Sequence, residues 1–255
     1  MRLNPVKKLV SEGKVALGMS QGHLATTELA RMLAAAEFDW VFLDSEHGPF
    51  TTETMQAMIK AYLQTPVSPI VRVADFQYDL VARTLDSGAE GIIFPRVESV
   101  DVLRKAVSWA KFPPRGVRGF GLGPPQIGYK VEPFEKIVQH MNDEILLFAQ
   151  IESVKGLEAL DEIASVDGVD SLFVGPADLS ISLGVGGQWD HPKLLEAIDQ
   201  VIAACNRHGK IPAIHVRNAA FAKVCIARGM QVVSCGVDLA LLWAGVQGNA
   251  KELRS

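Results

Sequence analysis

Residues 40–73, WVFLDSEHGPFTTETMQAMIKAYLQTPVSPIVRV, contain one complete strand–helix–strand unit. The runs WVFLDSE at 40–46 and SPIVRV at 68–73 are rich in β-branched and aromatic residues. Between them TETMQAMIKAYLQ returns an apolar residue every three or four positions. Thr51 and Thr52 ahead of Glu53 mark a helix start. Each strand run stays apolar until it meets a polar residue at its end, the pattern of a parallel strand covered on both faces.

The same beat extends in both directions. Further strand runs are VALGMS at 15–20, GIIFPRV at 91–97, ILLFAQIE at 145–152, DSLFVGP at 170–176, IPAIHV at 211–216 and QVVSCGV at 231–237. Helical periods separate them, from TELARMLAAAEF at 27–38 to LALLWAGVQGNAKELR at 239–254, and Gly88, Gly209 and Gly229 stand where helix C-caps belong. Eight strand–helix pairs in 255 residues, about 32 each, predict one closed (β/α)₈ TIM barrel over residues 1–255. An open doubly wound sheet is the rival. It calls for a glycine-rich phosphate loop after the first strand, and GMSQGHLATTE carries neither G-x-G-x-x-G nor a Walker pattern.

Composition narrows the class. Hydrophobic residues make up 48% and charged residues 21%, as in an ordinary globular chain, and 25 Lys and Arg against 29 Asp and Glu give a net charge of −4 with no basic stripe for nucleic acid. Cys205, Cys225 and Cys235 are odd in number and lack C-x-x-C spacing, so a reducing, cytoplasmic setting is expected. The first residues, MRLNPVKKLVSEGK, lack the apolar stretch of a signal peptide, and no apolar run is long enough to span a membrane. One segment breaks the beat: PPRGVRGFGLGPPQIGYKVE at 113–132, with four prolines and five glycines, reads either as a loop over a site or as a surface excursion.

In such barrels chemistry collects at the C-terminal ends of the strands. There the sequence sets Asp44, Glu46 and His47 after strand two, Arg72 after three, Arg96 after four, Gln150 and Glu152 on five, Asp178 beyond six, His215 on seven and Asp238 after eight. Gln150 and Glu152 are two apart, so both side chains point to one face. Glu152 and Asp178, from adjacent strands, can chelate one ion. An all-oxygen pair favours Mg²⁺ or Mn²⁺ with open positions for a bidentate substrate. The alternative is that Glu152 caps the following helix and Asp178 a turn. Asp44 and His47 read as a carboxylate orienting an imidazole, against a histidine that is merely solvated. Arg72 at a buried rim requires an anion, either substrate or a structural pair with Asp75 or Glu46. His215 reads equally as a ligand-facing polar group or a satisfied histidine of the barrel mouth. No strand run contains a lysine for Schiff-base chemistry, and neither G-x-S-x-G nor an evident Cys–His pair appears.

The segments FDWVFLDSEHGPF, PIVRV, FPRVES, FPPRGVRGFG, QIES, VDSLFVGPADLS and GVD, in this order over nearly the whole chain, resemble the HpcH/HpaI class II pyruvate aldolase family. The D-x-E-H box, the Q-I-E strand and the V-G-P-A-D-L-S box are its most specific parts. The resemblance implies a (β/α)₈ barrel whose divalent ion, Mg²⁺ or Mn²⁺ with Co²⁺ as a further option, is held by Glu152 and Asp178. It implies that His47, held by Asp44, transfers protons and that Arg72 contacts the pyruvyl oxygen. Gln150 and the backbone near Gly175, Pro176 and Ala177 would hold the pyruvate end. It also implies a homo-hexamer, a trimer of dimers exchanging the last helix, with which the apolar LALLWAGV agrees.

The expected reaction is cleavage of a 4-hydroxy-2-oxo acid into pyruvate and an aldehyde through an enolate that the ion and Arg72 stabilise. An oxaloacetate decarboxylase, a citryl-CoA lyase-like enzyme or a macrophomate-synthase-like enzyme would share that machinery. A barrel that binds a small acid without turnover is the alternative outside enzymes. After RGVRG the chain continues FGLGPPQIGYK, without the arginine-bearing stretch often found in the family, so contacts on the aldehyde side do not carry over.

Overall fold

The computed structural model describes residues 1–255, the side chains of Pro124 and Pro125 excepted. Eight parallel strands close a barrel in chain order: β1 (Ala16–Gln21), β2 (Trp40–Asp44), β3 (Ser68–Arg72), β4 (Gly91–Phe94), β5 (Leu146–Ile151), β6 (Ser171–Val174), β7 (Ile211–Val216) and β8 (Val232–Val237), with β8 paired back to β1. The TIM barrel read from the alternation is therefore the fold. The helices are α1 (Pro5–Ser11), α2 (Glu28–Ala35), α3 (Thr52–Tyr62), α4 (Tyr78–Asp86), α5 (Val100–Ala110), α6 (Phe134–Glu144), α7 (Val154–Glu158), α8 (Leu160–Ala164), α9 (Pro176–Ser182), α10 (Pro192–His208), α11 (Ala219–Arg228) and α12 (Asp238–Glu252). The expected single helix after β5 is two short ones, because the backbone at Ala159 (φ −92°, ψ 10°) turns between them and sends Leu160 and Ile163 into the core.

The period of two along each strand sorts side chains between inside and outside. Trp40, Phe42, Ile70, Ile93, Leu146, Phe148, Phe173, Ala213 and Val232 fill the barrel, while the alternate residues pack against the helices. Trp40 fits only because β1 is bare where the two strands meet: a Cβ on Gly18 would lie 2.5 Å from the indole. Above this apolar filling the next inward positions are Ser20, Asp44, Arg72, Gln150, Gly175 and His215. The change from apolar to mostly polar along these strands thus makes a plugged base and a polar mouth.

The base is sealed by α1. The Asn4 side-chain oxygen accepts from the backbone N–H of Val6 and Lys7, its amide donates to the carbonyls of Glu90 and Glu144, and Val6 enters the barrel filling. The segment 113–132 runs beside α4, α5 and α6, with the Arg118 guanidinium on Asp86 and the Gly119 N–H on the Tyr78 hydroxyl. No described residue of this segment lines the mouth, so among the described residues it reads as the surface excursion and not as a loop over the site. A 590 Å³ hollow lies beneath Gln126, Gly128, Tyr129 and Lys130 at the opposite, N-terminal end of the barrel, away from the polar rim.

The outermost helix is unlike the others. In α12 only Asp238 is buried, while Leu239, Leu241, Leu242, Trp243 and Val246 are each about half exposed, as is Leu17 on the outer side of β1. Among the described residues no helix is long and apolar enough to cross a membrane.

Candidate active site

The mouth is a cavity of about 250 Å³ whose lining includes Asp44, His47, Arg72, Gln150, Gly175, Asp178 and His215. Its charged floor follows from strand register. Asp44 and Arg72, each the last residue of its strand, are direct partners across β2 and β3. Arg72 donates from Nε to Asp44 Oδ1 (3.0 Å) and from Nη2 to Oδ2 (2.7 Å), while its Nη1 lies 3.0 Å from Glu46 Oε2 and the group sits over the Phe42 ring. Burial alone would raise the Asp44 carboxyl. The Arg72 bonds and charge, with the N–H groups of His47 and Glu46, outweigh it and hold the carboxyl below its ordinary value. Of its five N–H groups, Arg72 donates two to Asp44; those of Nη1, which lies against Glu46 Oε2 without a hydrogen bond, and the second on Nη2 are left for a further anion.

This corrects one expectation. Asp44 does not orient the His47 imidazole: its two oxygens are taken by Arg72, and it meets His47 only through the backbone N–H at 3.3 Å. The His47 ring is 70% exposed, with Glu46 as its nearest carboxylate at 4.0 Å. The pairing of Arg72 with Glu46, one of its two structural alternatives, is present together with the Asp44 clamp.

Glu152 is buried just beyond β5. Its Oε1 accepts the Arg96 backbone N–H (2.9 Å) and its Oε2 the Gln150 amide (2.5 Å). Arg96 reaches this place in a left-handed backbone conformation (φ 46°) and sends its Nε to Glu46 Oε1 at 3.1 Å. The helix-cap alternative fails for Glu152, because Ser153 caps α7 by accepting from Gly156 N–H. Burial first, and then the charge of Asp178, pushes the Glu152 carboxyl up to about 7. Asp178, in the first turn of α9, is exposed and accepts no hydrogen bond among the described residues, so it caps no turn there. Gly175 permits the close approach of these elements: a Cβ there would lie 2.6 Å from Glu152 Oε2 and 2.8 Å from Gln150 Nε2. Pro176 and Ala177 follow it along the cavity wall.

One side chain at the mouth, His23, is not among those the strand ends indicate. His23, on the loop after β1, has Nδ1 3.4 Å from Asp238 Oδ1, and the buried Asp238 accepts the backbone N–H groups of His23 (3.1 Å) and Leu24 (2.7 Å) at Oδ2. Arg96 contributes through its main chain. The signal for His23 in the sequence is a polar residue shortly after the first barrel strand. On β7, the His215 Nδ1 pairs with Ser234 Oγ at 2.9 Å, and burial drives its imidazole down to about 4.

An arginine clamp for an anion beside two mutually repelling carboxylates, with histidines at the rim, is a setting for stabilising negative charge on a small acid. The sequence pattern of the HpcH/HpaI aldolase/citrate lyase family matches residues 22–244. The chain belongs to that family. It is 33% identical over 250 residues to a 4-hydroxy-2-oxo-heptane-1,7-dioate aldolase of Salmonella typhimurium, covering 97% of this chain and 93% of the relative. An HpcH/HpaI aldolase from Desulfitobacterium hafniense superposes with a TM-score of 0.93 at 34% identity, covering 98% of this chain and 96% of that one. Macrophomate synthase superposes with a TM-score of 0.84 at 28% identity, covering 98% and 88%. As an HpcH/HpaI aldolase, the protein is a lyase.

Proposed function

We propose that this aldolase uses a divalent metal ion and reversibly cleaves a 4-hydroxy-2-oxo acid to pyruvate and an aldehyde. The observation that supports the reading is the Glu152 carboxyl, buried just beyond β5 and pushed up to about 7 by that burial and then by the charge of Asp178, a pair of carboxylates that a divalent ion would neutralise. Among the described residues no three His, Cys, Asp or Glu side chains gather to hold an ion. The protein would therefore supply only Glu152 and Asp178, leaving the other positions to substrate and solvent. That all-oxygen donor set fits Mg²⁺ or Mn²⁺, with Co²⁺ as a further option. When bound, the ion supplies Lewis-acid polarisation of the 2-oxo group.

The chain's own residues do the rest. The second N–H of the Gln150 amide, whose first goes to Glu152, and the wall of Gly175, Pro176 and Ala177 hold the pyruvyl end. His47 takes the proton of the 4-hydroxyl. The bond between the third and fourth carbons then breaks, its electron pair staying on the third carbon as the enolate, while the aldehyde leaves. The Arg72 N–H groups not bonded to Asp44 meet the enolate oxygen, and Asp44 and Glu46 keep the guanidinium from swinging away. Return of the proton to the third carbon yields pyruvate; the reverse order is aldol addition. The name of the Salmonella relative supports a 4-hydroxy-2-oxo acid as substrate.

We assign α12 to a homo-oligomer. Its half-exposed Leu239, Leu241, Leu242, Trp243 and Val246, together with Leu17 left bare on β1, fit exchange of this helix between subunits and hence a hexamer built as a trimer of dimers.

Coupled detection of pyruvate from a panel of 4-hydroxy-2-oxo acids and oxaloacetate, with chelator and with Mg²⁺, Mn²⁺ or Co²⁺ restored, tests the reading. Aldol cleavage lost on chelation and regained with the ion is expected. Cleavage indifferent to chelator would refute the metal. Oxaloacetate consumption without aldol cleavage would make the protein a decarboxylase or a macrophomate-synthase-like enzyme instead.

A further inference from the structure

The residues assigned to the pyruvyl end come from β3, β5, β6 and the start of α9, which leaves the wall formed by β7, β8 and the end of β1 without a role. The inward-facing group there is His215, a polar residue directly above the apolar layer of Ala213, Phe173 and Val232. It is a built feature. Its register partner on β8 is Ser234, itself fully buried, which holds Nδ1 at 2.9 Å, and the ring meets the Phe42 ring edge-on at 5.4 Å. With Nδ1 committed, Nε2 is the nitrogen left to the cavity that His215 lines, and it has no partner among the described residues. Burial keeps the ring neutral, with the nearby charges of Arg72 and Arg217 acting in the same direction, so it offers one hydrogen bond and no charge.

We propose that His215, held by Ser234, determines acceptor specificity: its Nε2 hydrogen-bonds to an oxygen on the carbon next to the aldehyde carbonyl, so the enzyme favours 2-hydroxyaldehydes over alkyl aldehydes of equal size. This rests on the aldolase reading above. The third carbon of an enolate held by Arg72 and the β5–β6 residues opens toward the rest of the cavity, and the aldehyde that meets it there comes against β7. A site built to bond a substrate hydroxyl leaves a buried polar atom unpaired when the analogue lacks it, which is why it discriminates.

The test is aldol addition of glycolaldehyde and of propanal, equal in heavy atoms, to pyruvate with Mg²⁺ present, in the wild type, His215→Leu, His215→Asn and Ser234→Ala. The readout is the ratio of kcat/KM for the two aldehydes, compared between variants so that their intrinsic reactivities cancel. His215→Leu is expected to lower the glycolaldehyde-to-propanal ratio at least about tenfold, chiefly through glycolaldehyde, with Ser234→Ala lowering it less and His215→Asn, which keeps a donor, retaining part of it. A ratio within about twofold of wild type in His215→Leu, with both aldehydes slowed alike, would make the residue purely structural and overturn the proposal. Should His215→Leu not fold, an unchanged ratio in both other variants overturns it equally. Wild type that forms no aldol product from any aldehyde would instead overturn the aldolase reading.

Discussion

Replacing Asp44 with Asn keeps the shape of the side chain and removes the charge that faces Arg72. Both residues are under 9% exposed and joined by two hydrogen bonds of 3.0 and 2.7 Å. Breaking such a buried pair costs about 3–5 kcal/mol. Glu46 stays 3.0 Å from Nη1 and leaves the guanidinium partly matched, so the expected loss lies at the low end, about 3 kcal/mol. For a chain of this size that lowers Tm by about 6–12 °C. The assay is denaturant and thermal unfolding at one protein concentration, extended to double-mutant cycles. Asp44→Asn with Arg72→Met should show a coupling of about 2–3 kcal/mol, and Asp44→Asn with His47→Asn should be additive within about 0.5 kcal/mol. Pyruvate-coupled kinetics should show a KM for the oxo acid that rises, because a free guanidinium no longer stands where the pyruvyl oxygen arrives. Coupling to His47 in place of Arg72, or a Tm change under about 2 °C, would refute the clamp and restore Asp44 as a partner of the imidazole.

Gly175→Ala should lower cleavage by on the order of 100-fold and weaken Mn²⁺ binding by calorimetry while leaving the circular dichroism unchanged, since the added Cβ at 2.6 Å must displace Glu152. Of the two rim histidines, His47→Asn should abolish aldol cleavage and His23→Asn should slow it only modestly; the reverse result would transfer the proton-transfer role to the pair His23–Asp238. Burial lowers the Lys111 ammonium from 10.5 to about 8 although Nζ donates to the carbonyls of Asn142 and Ile145. Between those values the unfolded chain binds the proton and the folded one does not, so stability should climb by up to about 3 kcal/mol from pH 8 to 10.5, and Lys111→Met should remove that rise. Leu242→Glu together with Trp243→Glu should turn a multimer in sedimentation velocity into a 27.6 kDa monomer; multimers unaffected by the two charges would remove α12 from the interface.

What the sequence made legible is whatever a single strand decides alone. The period of two places Trp40 and Phe42 inside and hands the next inward position to Asp44. The same count lifts Arg72, Gln150 and His215 to the mouth above Ile70, Phe148 and Ala213. Pairing between strands was not legible, because nothing local fixes the register of two parallel neighbours. Asp44 was therefore given to His47, three residues away, when β2 and β3 meet so that its partner is Arg72, 28 residues away. Closure hides more: His23 and Asp238 are 215 residues apart and come together only because the eighth strand returns to the first. The Glu152 site depends on both kinds of information. Its carboxylate was visible as the end of QIE, but the main-chain donor that holds it belongs to Arg96 in a left-handed conformation, which no propensity of arginine announces. Strand patterns thus identify the residues that reach a barrel's mouth, whereas the partner that decides each one's protonation and reach is set by the neighbouring strand. For that reason cross-strand coupling, and not proximity in the chain, is the quantity to measure at Asp44.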